Sequence, residues 1–194
     1  MPRESDAVAG LDAVAAWLSE RIPGDRDLER DELVDVAVSL GRERALWEHL
    51  VHHDPVARHY VELYRDVHLD VWLICWTNQQ DTGYHDHDLS SGAVYVCDGV
   101  LVEDRLQAKD DVIKGVMIDR SPDSVFEFDA ARVHRMHHVS GGPATSIHCY
   151  SPALWRMGHY DFDADGNMCR TSITYADEMW SGRLGLPEAG LFQP

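Results

Sequence analysis

No apolar run in this 194-residue chain approaches the roughly 20 residues that a membrane-spanning helix needs, and its first residues lack the basic-then-apolar layout of a secretory signal. A cytoplasmic protein is the expectation. Basic residues are scarce: 17 Lys and Arg stand against 34 Asp and Glu, a formal net charge of −17. Nucleic acid and anionic membranes would be repelled, and no basic helix pair offers a DNA-binding surface, so a small-molecule partner is the easier expectation. Cysteine is sparse as well. Cys75, Cys97, Cys149 and Cys169 show no Cys-x-x-Cys spacing, which argues against a zinc knuckle, and each lies in or beside an apolar stretch. They read as buried free thiols with no disulfide. Internal repeats and low-complexity segments are absent too, and the length suits one core, so residues 1–194 read as a single domain whose oligomeric state the sequence leaves open.

What is present divides into a helical beginning and a strand-rich remainder. Residues 7–20 put Val8, Leu11, Val14, Ala15 and Leu18 on one helical face, and Pro23-Gly24 ends that helix. A second helical stretch, about residues 28–51, turns Leu33, Val36, Leu40, Leu46, Trp47 and Leu50 inward, with Gly41 as its break. After Pro55 the texture changes to short runs of β-branched and aromatic residues. Strands are predicted near 58–64, 70–76, 93–97, 100–106, 113–118, 125–128, 132–136, 144–150, 156–161 and 168–174. Cys97-Asp98-Gly99 and Asp163-Ala164-Asp165-Gly166 read as hairpin turns, because Asp-Gly supplies a positive φ. Asp161-Phe162-Asp163-Ala164-Asp165-Gly166 imitates the start of a calcium loop, but Ser172 stands where the closing glutamate is required. The pattern predicts a mostly β fold: a jelly-roll barrel over 55–175, two or three α-helices within 1–54, and an irregular tail over 176–194.

The sharpest chemical signal is His85-Asp86-His87, between the runs Val71–Trp76 and Ala93–Cys97. On an extended segment, side chains at i and i+2 point the same way, so both imidazoles can ligate one metal ion. Ser146, His148 and Tyr150 are likewise spaced by two and share a strand face. Ser146 can then orient His148, and His148 can bond the Tyr150 hydroxyl. His49, His52, His53, His59, His68 and His159 read as surface or packing residues.

A double-sheet barrel with an early His-x-His resembles the cupin superfamily, whose usual metal set adds a glutamate a few residues later. Here Asp88-Leu89-Ser90-Ser91-Gly92 follows, with no glutamate. The chain in this respect resembles the thiol dioxygenases of the cysteine dioxygenase family, which hold iron with three histidines and no carboxylate. Cys75-Trp76 precedes His85-Asp86-His87 by that family's spacing. His134-Arg135 followed by Val139-Ser140 looks like the segment with its third histidine, and this favours His134 over His137 and His138. Ser146-Ile147-His148-Cys149-Tyr150-Ser151-Pro152 is similar to its Ser-x-His-x-Tyr-Ser-Pro motif.

The resemblance implies an Fe(II) site at His85, His87 and His134, with Tyr150, backed by His148 and Ser146, on the oxygen side. It implies oxygenation of a small thiol by O2 to a sulfinate. Three neutral imidazoles leave a ferrous ion its full charge and an open face, which suits a thiolate and dioxygen. Gly92 occupies the position of the cysteine that animal members link to the tyrosine, so no thioether is expected, and Ser151-Pro152 matches a cis peptide of the family. An ungapped count puts Tyr60 where the family's substrate-binding arginine stands, with Arg58 two residues away on the same face if the segment is extended. A pocket with Tyr60, Glu62 and Trp72 would suit a cationic group, which admits an imidazole thione such as ergothioneine as substrate; 3-mercaptopropionate fits it less well. A non-catalytic metal- or ligand-binding cupin is the alternative of another class.

Overall fold

Val71-Trp72-Leu73-Ile74-Cys75-Trp76 is apolar at every position because the strand it forms is covered on both faces. Val71 and Leu73 point to a layer of helices, whereas Trp72, Ile74 and Trp76 point into a barrel. The computed structural model describes residues 4–109, 112–164 and 167–174. Two helices, α1 (Glu4–Ser19) and α2 (Arg30–Arg42), are followed by two 3-10 turns at Arg44–Leu46 and Glu48–Leu50. Leu33, Val36 and Leu40 of α2 are buried with Val14 and Leu18 of α1 in the helix-facing core. Each such side chain contributes about 1.5–3 kcal/mol on full burial, enough to dock a short helix that would be marginal alone.

The second helix ends well before residue 51. The backbone N–H of Glu43 and the indole N–H of Trp47 both donate to the Leu40 carbonyl, at 3.0 and 2.8 Å, and the chain tightens into its 3-10 turns. Trp47 thereby closes the helix that its apolar spacing was expected to extend.

Eleven strands follow among the described residues: β1 (His59–Arg65), β2 (Asp70–Trp76), β3 (Tyr84–Asp86), β4 (Ser91–Asp98), β5 (Leu101–Lys109), β6 (Val112–Arg120), β7 (Val125–Phe128), β8 (His134–His137), β9 (Ala144–Ser151), β10 (Arg156–Phe162) and β11 (Met168–Thr174). They form two sheets, β1-β2-β9-β4-β7 and β11-β10-β3-β8-β5-β6, that face each other as a jelly-roll barrel of cupin type, with α2 against the outer face of the first. Only β3 lay outside the predicted strands; at three residues it is too short for periodicity to reveal.

Two expectations need correction. Gly99 has the positive φ, +71°, expected of it, but β4 and β5 belong to different sheets, so Cys97-Asp98-Gly99 is a corner between sheets rather than a hairpin. A Cβ on Gly99 would lie 2.6 Å from the Pro143 carbonyl oxygen, which explains why this corner takes glycine. Cys75, Cys97 and Cys149 are buried free thiols, but Cys169 is exposed, because β11 is the edge strand and only Ile173 of it turns inward. β10 and β11 pair antiparallel as a hairpin would, although Asp165, Gly166 and the expected tail over 176–194 lie outside the described residues. The Ser151-Pro152 peptide is cis. No helix among the described residues is long and apolar enough to cross a membrane.

Candidate metal centre

β3 holds His85 in the second sheet between β10 and β8, facing His159 on one side and His134 on the other. Asp86 turns the opposite way, where Arg170 Nε (2.7 Å) and Nη2 (2.9 Å) and the Tyr160 hydroxyl (2.6 Å) donate to it. This outward anchor fixes the alternation that sends His85 and His87 into the barrel. His85, His87 and His134 are all buried, and each brings one ligand-capable nitrogen within 4.8 Å of the other two. His137 alternates outward on β8, and His138 bonds the Gly142 carbonyl.

The donor chemistry fits a metal ion. His85 Nδ1 bonds the Gly83 carbonyl at 3.0 Å, and His134 Nδ1 bonds Glu103 Oε1 at 3.0 Å, which leaves each Nε2 for coordination. Neither nitrogen of His87 has a hydrogen-bond partner although the ring is fully buried between Phe128 and Tyr150, an arrangement that is costly unless something binds there. Burial and the neighbouring imidazoles hold His85 and His87 well below the ordinary histidine value, so both are neutral and ligand-ready. Burial also lowers His134, against the pull of Glu103.

On β9, Ser146, His148 and Tyr150 form a hydrogen-bonded row: Ser146 Oγ lies 2.8 Å from His148 Nε2, and His148 Nδ1 lies 3.2 Å from the Tyr150 hydroxyl. The Trp76 indole donates to Ser146 Oγ at 2.9 Å. Burial pushes His148 down to about 3, so its imidazole is neutral.

A cavity opens beside the three histidines, with His85, His134, His148 and Tyr150 in its wall. Arg58, Tyr60 and Trp72 line it too, so the structure brings both alternatives, Arg58 and Tyr60, to one place. Arg58 donates to the Asp81 carbonyl at 3.0 Å and lies 5.1 Å from the Trp76 ring centroid. Glu62 is not among the lining residues; it lies near Asp70, whose carboxyl burial and Glu62 push up while Arg65 pulls it down.

Sequence reasoning missed two participants. His159, expected at the surface or in packing, is buried in the cavity wall opposite His85, because the short β3 pairs with β10. Its even spacing with Met157 was the available signal, but that pairing is long-range. Glu103 behind His134 had no signal, since β5 reads as an ordinary polar-apolar strand. The other histidines, His49, His52, His53, His59 and His68, do not line the cavity.

A sequence model of the family described as cysteine dioxygenase type I matches residues 17–163. No curated protein matches the chain significantly. Solved structures that resemble it include an uncharacterized conserved protein with a double-stranded β-helix domain from Klebsiella pneumoniae, 9% identical over 64% of this chain and 87% of that one with a TM-score of 0.45. A Bacillus halodurans protein is 15% identical over 67% and 84%, with a TM-score of 0.44, and a recombinant oxalate oxidase in complex with glycolate is 13% identical over 55% and 56%, with a TM-score of 0.47. Likenesses this distant carry no weight in assigning chemistry.

Proposed function

Given that the chain belongs to the cysteine dioxygenase type I family, we propose that it is an iron(II)-dependent dioxygenase that oxygenates the sulfur of a small thiol bearing an acid group to a sulfinate. The observation that carries this reading is that three buried imidazoles, with no carboxylate in the cluster among the described residues, gather beside a cavity whose wall also holds His148 and Tyr150 of the hydrogen-bonded row. His85, His87 and His134 would hold the metal, which when bound supplies a cationic centre for a thiolate and for dioxygen.

The chain's own residues do the rest. Trp76 has only a donor, so Ser146 Oγ accepts from it and can donate to His148 Nε2. That fixes the His148 tautomer with its proton on Nδ1, which donates to the Tyr150 oxygen and turns the phenolic proton toward the cavity. Tyr150 then presents a directed donor on the face where oxygen reacts. Arg58, in the cavity wall, supplies the cation for an acid group on the substrate. This favours a carboxylated thiol such as cysteine or 3-mercaptopropionate over cysteamine. A non-catalytic binding module would have no use for the directed tyrosine.

The test is oxygen uptake by protein loaded anaerobically with Fe(II), against L-cysteine, 3-mercaptopropionate, cysteamine and ergothioneine, with products identified by mass. Uptake with an acid-bearing thiol and a gain of two oxygens supports the assignment. No uptake from iron-replete protein moves the site to a binding role.

A further inference from the structure

The glutamate missing from the metal-ligand set has a counterpart one bond further out. Glu103 on β5 is fully buried, and its Oε1 lies 3.0 Å from His134 Nδ1. Its Oε2 accepts from Arg105 at 2.8 Å and from Arg120 at 3.1 and 2.5 Å, while Arg132 stands 3.8 Å from Oε1. Arg120 is itself fixed 4.1 Å over the Phe126 ring. Stability does not account for such a cluster. Taking a carboxylate and its arginines out of water costs several kcal/mol per ion, and apolar replacements of such sets are often neutral or stabilising. What the cluster does accomplish is local to His134.

We infer that Glu103 is a positioning residue for His134: it fixes the tautomer that leaves Nε2 for the metal, and its charge strengthens that nitrogen as a donor. Arg105 and Arg120 set how much of the charge reaches the ring, by drawing on the other oxygen. The site thus keeps the full cationic charge of a three-histidine centre while one ligand is made more basic from behind. The inference rests on the reading of His85, His87 and His134 as metal ligands.

The two sides of the cluster make opposite predictions. Glu103→Gln keeps an acceptor for His134 but removes the charge; Arg120→Met removes a competitor for that charge. Zn(II) affinity is measured by competition with a chromophoric chelator, and the Fe(III)/Fe(II) midpoint potential by mediated titration. Glu103→Gln is expected to lose about 10- to 100-fold in metal affinity and to raise the potential, since a weaker donor stabilises the ferric state less. Arg120→Met is expected to lower it. Unchanged potentials, or shifts of the same sign in both variants, overturn the inference and leave Glu103 a packing residue. Thermal melts of the metal-free proteins establish that each variant folds; should Glu103→Gln not fold, the sign of the Arg120→Met shift decides alone, downward supporting and any other result overturning. Parent protein that takes up no metal removes the three-histidine reading itself, whereas parent and Glu103→Gln that bind alike remove only the role of Glu103.

Discussion

Gly92 stands directly across the β4–β9 ladder from Tyr150, and a Cβ placed on it would lie 2.4 Å from Phe128 Cζ and 3.1 Å from Tyr150 Cδ1. The space that a cross-linking cysteine would need is occupied by the ring that stacks on His87, with centroids 4.6 Å apart.

Gly92→Cys is therefore expected to destabilise the protein by about 1–3 kcal/mol through overpacking. Adding Phe128→Ala should relieve the clash at that site while loosening His87. Urea unfolding of the metal-free proteins measures this, and a single variant as stable as the parent contradicts it. Intact mass of the parent should show no loss of the two hydrogens that a thioether would remove.

The donor row on β9 predicts a graded loss. Tyr150→Phe should cut kcat by about 100-fold, the scale of a positioned proton donor, with a much smaller change in KM. Ser146→Ala should fall between that variant and the parent, since it frees the His148 tautomer but keeps the hydroxyl. Equal kcat in Tyr150→Phe and parent would place the tyrosine outside the chemistry.

Arg58 is the cation in the cavity wall, and its loss should act on binding. For an acid-bearing thiol, Arg58→Met is expected to raise KM by about 30-fold, equivalent to about 2 kcal/mol for a charged hydrogen bond. Activity toward cysteamine, already poor, should not fall further. A KM that does not move would return Tyr60 as the residue that holds the substrate.

Burial holds His148 down to about 3 and His159 down to about 4, against an ordinary value of 6.5. Both values are depressed on folding, so as pH falls the unfolded chain binds these protons first. The stability they contribute is whole above about 6.5 and is lost as pH falls toward the folded values. Each should add a slope of about 1.4 kcal/mol per pH unit between roughly pH 6 and 4.5. In metal-free protein, His148→Gln should flatten the dependence of unfolding free energy on pH by that amount; a slope equal to the parent's would show that His148 is already charged in the fold.

Local pattern settled much of this protein. The i, i+2 spacing of His85 and His87, and of Ser146, His148 and Tyr150, names side chains that share a face whatever the fold, because a strand alternates with a period of two. The apolar run Val71–Trp76 announces a strand buried on both sides for the same reason. Pairing across the chain decided what local pattern could not. Glu103 reaches His134 because β5 lies beside β8, and His159 reaches the cavity because β3 lies beside β10. Cys97-Asp98-Gly99 turns a corner between sheets because β4 and β5 find different partners. Such contacts depend on which strands neighbour one another over tens of residues. That choice belongs to the packing of the whole barrel and leaves no mark in a short window of sequence.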